Sequence, residues 1–319
     1  MNYIEFCLMW HDYLQQIQEG NSKSLARAIS LVENDVPGCE ILLQLLPPST
    51  TPVIGITGLP GAGKSTLVDA LIEQLVKEQK KVAVICVDPS SPFNLGALLG
   101  DRICMSEWYN HPNVFIRSLA TRGSLGGLHP KIIEISDLMK AAPFDYIIVE
   151  TVGVGQSEIE IAGLADVTIV TVVPEAGDEI QTMKAGLMEI ADIFVVNKSD
   201  RPDADLFVNN LRMMLAPAFH HKQVEVPVIK TIASQKEGIE QLLKAILENI
   251  EYSIDNVQQS TFNEKKQQIR NEKHLCLLAE KAFHLIQQKR MAGISKAELK
   301  NKIESAGSTF NLYQFIQNY

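Results

Sequence analysis

The sequence has few of the features that would place it in a membrane, in a secreted compartment or on nucleic acid. Its formal net charge is −9, so no basic surface is predicted for nucleic acid or for an anionic membrane. Its 5 cysteines are irregularly spaced and form no Cys-x-x-Cys pair, which fits a reducing compartment and excludes a cysteine-based zinc module. It has no run of about eighteen apolar residues and no visible secretory signal. We therefore expect a cytoplasmic protein.

Short apolar runs alternate with helical patterns over residues 52–233. Several runs lack polar alternation, which is typical of strands buried on both faces of a parallel sheet. The predicted strands are residues 53–57, 82–87, 114–117, 146–149, 167–173, 193–196 and 226–231. The predicted helices are residues 64–77, 131–140, 179–190, 204–215 and 239–250. This order predicts an α/β fold with a doubly wound, mostly parallel sheet.

Helical patterns also flank this region. Residues 1–47 carry apolar side chains at helical spacing after Ser22, a plausible N-cap, and the proline pair at 47–48 ends the pattern. Residues 262–319 are charged and carry a broken apolar stripe. A chain of 319 residues therefore accommodates one α/β domain with a helical segment on each side.

Residues 58–65, Gly-Leu-Pro-Gly-Ala-Gly-Lys-Ser, match the phosphate-binding pattern G-x-x-x-x-G-K-[ST] in full. The glycines let backbone N–H groups converge on phosphate oxygens, and the helix that follows adds its positive end. Lys64 would reach the β- and γ-phosphates, and the Ser65 hydroxyl would bind Mg²⁺. The alternative is an ordinary glycine-rich turn. The predicted nucleotide contacts in this loop are Gly58, Pro60, Gly61, Ala62, Gly63, Lys64, Ser65 and Thr66.

The tetrapeptide Asn197-Lys198-Ser199-Asp200 follows another predicted buried strand. The Asp200 carboxylate can accept hydrogen bonds from guanine N1–H and the exocyclic amine, a donor pair that adenine lacks. Asn197 would brace the loop or touch the base, and the stem of Lys198 would cover the ring. Ala233 follows the last predicted strand and is a candidate backbone contact to the guanine oxygen. These residues predict GTP/GDP as the ligand. The alternative is that the tetrapeptide is a surface loop that caps a helix.

Acidic side chains follow two of the predicted strands. Glu150 ends one strand, where a carboxylate commonly holds Mg²⁺ through a water, and Gly153 can offer its N–H to the γ-phosphate. Asp88 ends another strand and could reach the Mg²⁺ shell or the attacking water. Either Asp88 or Asp101 could instead cap a helix or pair with an arginine, and for Asp101 these roles are as consistent with the sequence as the metal. Val154 follows Gly153 where small GTPases carry a glutamine, so we expect slow hydrolysis without a partner.

Two further loops have open interpretations. Arg122, in the glycine-rich segment 122–127, is expected either to neutralise phosphate charge or to be solvated. Residues 174–181 follow a buried strand and predict either a partner-facing or nucleotide-sensing loop or a plain helix start.

These motifs together resemble the MeaB/ArgK family of GTPases over roughly residues 25–250. The most specific segments are 87–91 (Val-Asp-Pro-Ser-Ser) and 149–157 (Val-Glu-Thr-Val-Gly-Val-Gly-Gln-Ser). The resemblance implies a P-loop G domain at 49–255, an N-terminal helical extension at 1–48 and a C-terminal helical dimerisation arm at 256–319, hence a homodimer. It also implies that Ser65, Asp88, Asp101 and Glu150 bind Mg²⁺. The implied catalytic residues are Lys64, Asp88, Asp101 and Glu150.

The resemblance implies a partner as well. Members of the family act as chaperones of cobalamin-dependent acyl-CoA mutases such as methylmalonyl-CoA mutase, and GTP gates adenosylcobalamin loading and protection. Residues 175–186 would relay the nucleotide state to the mutase. The chain departs from the family pattern at Glu175, where a small residue is frequent, and at Ile232, where serine is common. The first departure weakens the expected coupling to the partner, and the second slightly weakens the base-binding interpretation.

Two other functions compete with a mutase chaperone. A metallochaperone GTPase would need a His/Cys cluster near the nucleotide, and the sequence shows no histidine-rich tract. An ATP-dependent kinase of amino-acid-binding transport proteins, an older label for this family, would have no use for a guanine-binding carboxylate at Asp200.

Overall fold

The structure, a computed structural model, describes residues 3–89, 104–122, 127–153, 159–176, 185–222, 226–254, 261–291 and 301. Its strands are β1 (Val53–Gly58), β2 (Val82–Asp88), β3 (Val114–Ala120), β4 (Tyr146–Glu150), β5 (Val167–Val172), β6 (Ile193–Val196) and β7 (Val228–Lys230). They form a 7-stranded sheet in the order β3-β2-β4-β1-β5-β6-β7, with every neighbouring pair parallel. The predicted parallel sheet is confirmed.

The described helices lie between and around these strands. They are α1 (Tyr3–Gln18), α2 (Ser22–Glu33), α3 (Cys39–Leu45), α4 (Lys64–Lys77), α5 (Ile132–Lys140), α6 (Ile159–Leu164), α7 (Ala185–Ile190), α8 (Ala204–Lys222), α9 (Ile239–Ile254) and α10 (Thr261–Met291). The predicted bounds of α4 are confirmed at both ends. None of the helices that the structure describes is both long and apolar enough to cross a membrane.

Some local predictions differ from the structure. Asn21, not Ser22, caps α2, because the Asn21 side chain accepts hydrogen bonds from the backbone N–H groups of Lys23 and Ser24. The six-residue helix α6 was not predicted, since so short a segment shows too little periodicity. The last strand, β7, is shorter than the predicted strand at 226–231. The first part of the helix predicted at 179–190 lies outside the described residues.

Helices cover both faces of the sheet. On one face, Ile54 and Ile56 of β1 share a buried cluster with Leu71 of α4 and Leu242 of α9. On the other face, a side chain at Gly55 would collide with α6, because a Cβ there would lie 2.6 Å from the Ile161 side chain. The sheet is therefore doubly wound, and residues that alternate along β1 face opposite layers.

The chain divides into two compact units, Met1–His274 and Leu275–Tyr319. In the first unit, α1 packs on α2 and α3, and α2 and α3 also pack on α5. In the second unit, the described end of α10 exposes several large apolar side chains. These are Leu275, Leu278, Phe283, Leu285 and Ile286.

Glu73 of α4 joins this helix to the loop after β7. Its carboxylate accepts hydrogen bonds from Lys236, in that loop, and from Lys77, one turn further along α4. The hydrogen bond from Lys236, followed by the one from Lys77, holds the pKa of Glu73 below its ordinary value of 4.5.

We expect the stabilising effect of Glu73 to be present at neutral pH and to be lost as the pH falls through its lowered folded-state pKa. The Glu73→Gln variant should therefore lose less unfolding free energy than the wild type between about pH 6 and about pH 3. Urea unfolding at a series of pH values measures this. The matched control is Glu78→Gln, at the exposed end of the same helix. Identical pH slopes for wild type and Glu73→Gln would contradict the assignment.

Candidate functional site

The predicted site residues converge at the carboxyl ends of neighbouring strands. In the sheet, β2, β4 and β1 are adjacent, and they end at Asp88, Glu150 and Gly58. Two strands further along, β6 ends one residue before Asn197. The carboxyl edge of a parallel sheet is the usual position of a ligand in this architecture. Asp101 lies outside the described residues.

The phosphate loop connects β1 to α4 and is partly open to solvent. Pro60 and Gly61 are exposed at its tip, whereas Ala62 is buried beneath it. The helix α4 begins at Lys64, so the next two residues, Ser65 and Thr66, lie half-buried in its first turn. The backbone N–H groups of a first helical turn have no partner within the helix and are suited to phosphate oxygens.

The Lys64 side chain folds back over the loop. It is 7% exposed, and its ammonium donates hydrogen bonds to the carbonyl oxygens of Gly58 and Leu59, each at 3.1 Å. Gly153 makes room for this group, because a Cβ at Gly153 would lie 2.2 Å from Lys64 Nζ and 2.7 Å from the Gly58 carbonyl oxygen. A buried ammonium at the start of a helix is suited to an anionic ligand.

Oxygen ligands for a metal ion lie beside this lysine. The Ser65 hydroxyl donates a 2.7 Å hydrogen bond to Glu150 Oε1. The register of β2 on β4 pairs Cys86 with Glu150, so Asp88, 1% exposed, lies two residues beyond that pair. Mg²⁺ is commonly bound by one or two carboxylates together with substrate phosphates and waters. The Ser65 hydroxyl and these two carboxylates therefore fit Mg²⁺ bound together with a nucleotide.

The side chain of Asn197 joins three loops of the site. Its amide nitrogen donates to the Ala62 carbonyl oxygen at 2.9 Å, in the phosphate loop. Its amide oxygen accepts from the Thr231 hydroxyl and from the Ala233 backbone N–H, each at 3.1 Å. Asn197 thus braces the loop, as one of the two sequence predictions for it states. In this structure the Ala233 N–H is directed at Asn197.

Two other members of the predicted guanine motif differ in exposure. Lys198 Nζ donates to the Gly61 carbonyl oxygen at 2.8 Å, and its φ of 55° places Lys198 in the left-handed region. The Asp200 side chain is exposed. The motif therefore has an inner part, which holds loops together, and an exposed carboxylate.

Some contacts around the site could not be predicted from motifs. The hydroxyls of Thr57 and Thr151 lie 2.9 Å apart and join the ends of β1 and β4. Arg122 contacts the end of α2, where its guanidinium donates to the Glu33 carbonyl oxygen, the Glu33 carboxylate and Asn34 Oδ1. This arrangement matches neither predicted role of Arg122. Its partners lie almost ninety residues away in the sequence, so no local pattern indicates them.

We expect Gly153→Ala to disturb Lys64, whereas Gly61→Ala serves as the matched control. Both glycines have positive φ, 81° and 73°, so alanine at either position costs about 1–2 kcal/mol of backbone strain. A Cβ at Gly61 meets nothing within 4 Å, but one at Gly153 meets Lys64 and Gly58. Gly153→Ala should therefore cost about 1–3 kcal/mol more in nucleotide-free urea unfolding. Equal losses would show that the space at Gly153 is not needed.

Comparison with known proteins identifies relatives of this chain. The family model described as methylmalonyl-CoA mutase-associated GTPase MeaB matches residues 25–292. The GTPase ArgK of Escherichia coli is 38% identical over 246 residues, which are 74% of this chain and 74% of that protein. A fused isobutyryl-CoA mutase of Geobacillus kaustophilus is 36% identical over 256 residues, 75% of this chain but 24% of the longer protein.

A solved structure has a fold similar to that of this chain. The structure described as an LAO/AO transport system kinase superposes with a TM-score of 0.67 and 27% sequence identity, and the match covers 100% of this chain and 97% of that one. The family model spans the whole parallel sheet and both nucleotide loops. The chain therefore belongs to the MeaB family of P-loop GTPases.

Proposed function

We propose that this chain is a Mg²⁺-dependent GTPase that serves as a chaperone of a cobalamin-dependent acyl-CoA mutase. The observation that carries the nucleotide part is the Asn197 side chain, which joins the phosphate loop to the guanine motif in one buried arrangement. A site that holds phosphates at one end and offers a carboxylate at the other is suited to GTP.

The residues at the phosphate end have distinct proposed roles. Lys64 neutralises charge on the β- and γ-phosphates, and the Gly153 N–H faces the γ-phosphate. Ser65 and Glu150 hold Mg²⁺, with Asp88 in the same shell or on the attacking water. The metal ion, when bound, supplies neutralisation of the charge that develops on the leaving oxygen. Asp101 is proposed for the same shell on the family resemblance alone.

We propose that hydrolysis is slow until a partner binds. Val154, the residue after Gly153, cannot orient a water by hydrogen bonding, since its side chain is apolar. A water-positioning residue supplied by the protein is a recurrent part of fast GTPases. The partner would therefore complete the site or reorder its loops.

The fused relative from Geobacillus kaustophilus supports a mutase as the partner. Its name is that of an isobutyryl-CoA mutase, and about a quarter of its length matches this chain. We propose that this GTPase associates with a mutase, that GTP gates adenosylcobalamin loading and protection, and that residues 256–319 form a dimerisation arm. A kinase remains the second candidate, because the matched solved structure carries that description.

We expect Asp200→Asn to lose guanine preference. Removing the carboxylate should weaken GTP binding by about 10- to 100-fold, since a charge-assisted hydrogen bond is lost, and should favour xanthosine triphosphate instead. Asp203→Asn, three residues further along and also exposed, is the matched control. Competition binding with GTP, ATP and xanthosine triphosphate measures the effect. An unchanged order of affinities would refute a base-binding role for Asp200.

The test of the whole proposal is GTP hydrolysis by the purified protein, alone and with an acyl-CoA mutase from the same genome. We expect a low rate alone and a several-fold rise with the mutase, for GTP and not for ATP. The Lys64→Ala variant, mixed with the same mutase, is the control for GTP hydrolysis by contaminating enzymes. A GTP rate indifferent to the mutase would reject the partner and keep the GTPase. Turnover of ATP at the same rate as GTP would favour the kinase.

A further inference from the structure

The carboxylate of Glu33, the last residue of α2, is shared by two arginines, one in β3 and one just after it. Its Oε2 accepts from Arg117 of β3 at 2.8 Å, and its Oε1 accepts from Arg122 at 3.0 Å. The Glu33 side chain is only 13% exposed, against 25% and 34% for the two arginines. The Glu33 carboxylate is therefore largely removed from water, whereas Arg122 lies at the exposed edge of the cluster.

The contacts of Arg122 fix its main chain as well as its charge. The guanidinium also donates to the Glu33 carbonyl oxygen at 2.8 Å and to Asn34 Oδ1 at 3.0 Å. Its φ is 48°, in the left-handed region that a residue with a side chain seldom adopts without support. The end of α2 supplies that support, because it receives three hydrogen bonds from this one side chain.

Arg122 follows a residue that contacts the phosphate end of the nucleotide site. Thr121 donates its N–H to the Asp88 carbonyl oxygen at 3.1 Å. Residues 123–126 lie outside the described part of the chain. Beyond them, Lys131 pairs with Asp35 of the helical extension at 2.7 Å.

We propose that Glu33 is a positioning residue for GTP hydrolysis, acting through Arg122 on the main chain of Asp88. The proposal rests on the proposed GTPase function and adds a role for the N-terminal helices. The Glu33 carboxylate holds Arg122, which holds residues 121–122 beside the end of β2. The N-terminal extension thereby forms part of the scaffold of the catalytic groups.

Glu33 makes no hydrogen bond to the phosphate loop or the guanine motif among the residues that the structure describes. Loss of the carboxylate should therefore leave nucleotide affinity intact and lower the rate of the chemical step. Remote substitutions along a coupled set of contacts change such rates by about 2- to 30-fold. Glu33→Gln and Arg122→Gln both remove the Glu33–Arg122 pair, and Glu33→Gln also removes the pair with Arg117. Both should lower the rate, and the double variant should be no slower than Glu33→Gln alone.

The experiment is steady-state GTP hydrolysis by the full chain without a partner, well below the unfolding temperature of the weakest variant. The variants are Glu33→Gln, Arg122→Gln and their combination. The matched control is Glu19→Gln, an exposed glutamate of the same extension that accepts a hydrogen bond from Gln15. We expect a reduced kcat with unchanged KM and GDP affinity for the three variants, and wild-type values for the control.

Several results would overturn the proposal. An unchanged kcat, with or without a lowered Tm, would show that the cluster is structural only. Rate losses that add in the double variant would show that the two residues act separately, and a weaker GDP affinity would assign Glu33 to binding. A wild-type rate no higher than that of Lys64→Ala would instead remove the proposed hydrolysis itself, so the two failures are distinguishable.

Discussion

The amide of Asn197 is the contact on which the geometry of the site depends. It is 2% exposed, and a buried amide is costly unless its hydrogen-bonding groups are satisfied. Here the amide nitrogen is bound by the phosphate loop, and the amide oxygen by Thr231 and Ala233 after β7. Loops that follow β1, β6 and β7 are therefore held together by one side chain, across 135 residues of sequence between Asn197 and Ala62.

Such bracing sets the distance between the two ends of the site. The close approach of Asn197 also explains the glycine at position 63, because a Cβ there would lie 2.4 Å from Asn197 Nδ2. Polar groups that are already held in place lose little freedom on binding, and they need little rearrangement as charge develops during a reaction. The Ser65–Glu150 hydrogen bond and the buried Lys64 extend the same preorganisation to the phosphate end.

Much of the fold could be predicted, because its signals are local. Buried strands appear as apolar runs, and the phosphate loop fixes both the end of β1 and the start of α4. The guanine motif likewise predicts the position of Asn197 at the end of β6. What could not be predicted depends on distant contacts. Arg122 was open to two interpretations because its partner, Glu33, is distant in sequence and is placed beside it by the packing of α2 on α5 and by the contact with Arg117.

Contacts at the rim of the site are much weaker than the buried ones. Glu175, in the turn Pro174–Ala176 after β5, pairs with Arg201, directly after the guanine motif. The two side chains are 49% and 41% exposed, and pairs of that kind contribute about 0–1 kcal/mol. A partner protein could replace such a contact at little cost, whereas displacing Asn197 would leave buried polar groups unsatisfied. Control by a partner is therefore expected to act through the exposed turn beside the base, while the braced loops keep the nucleotide in one position.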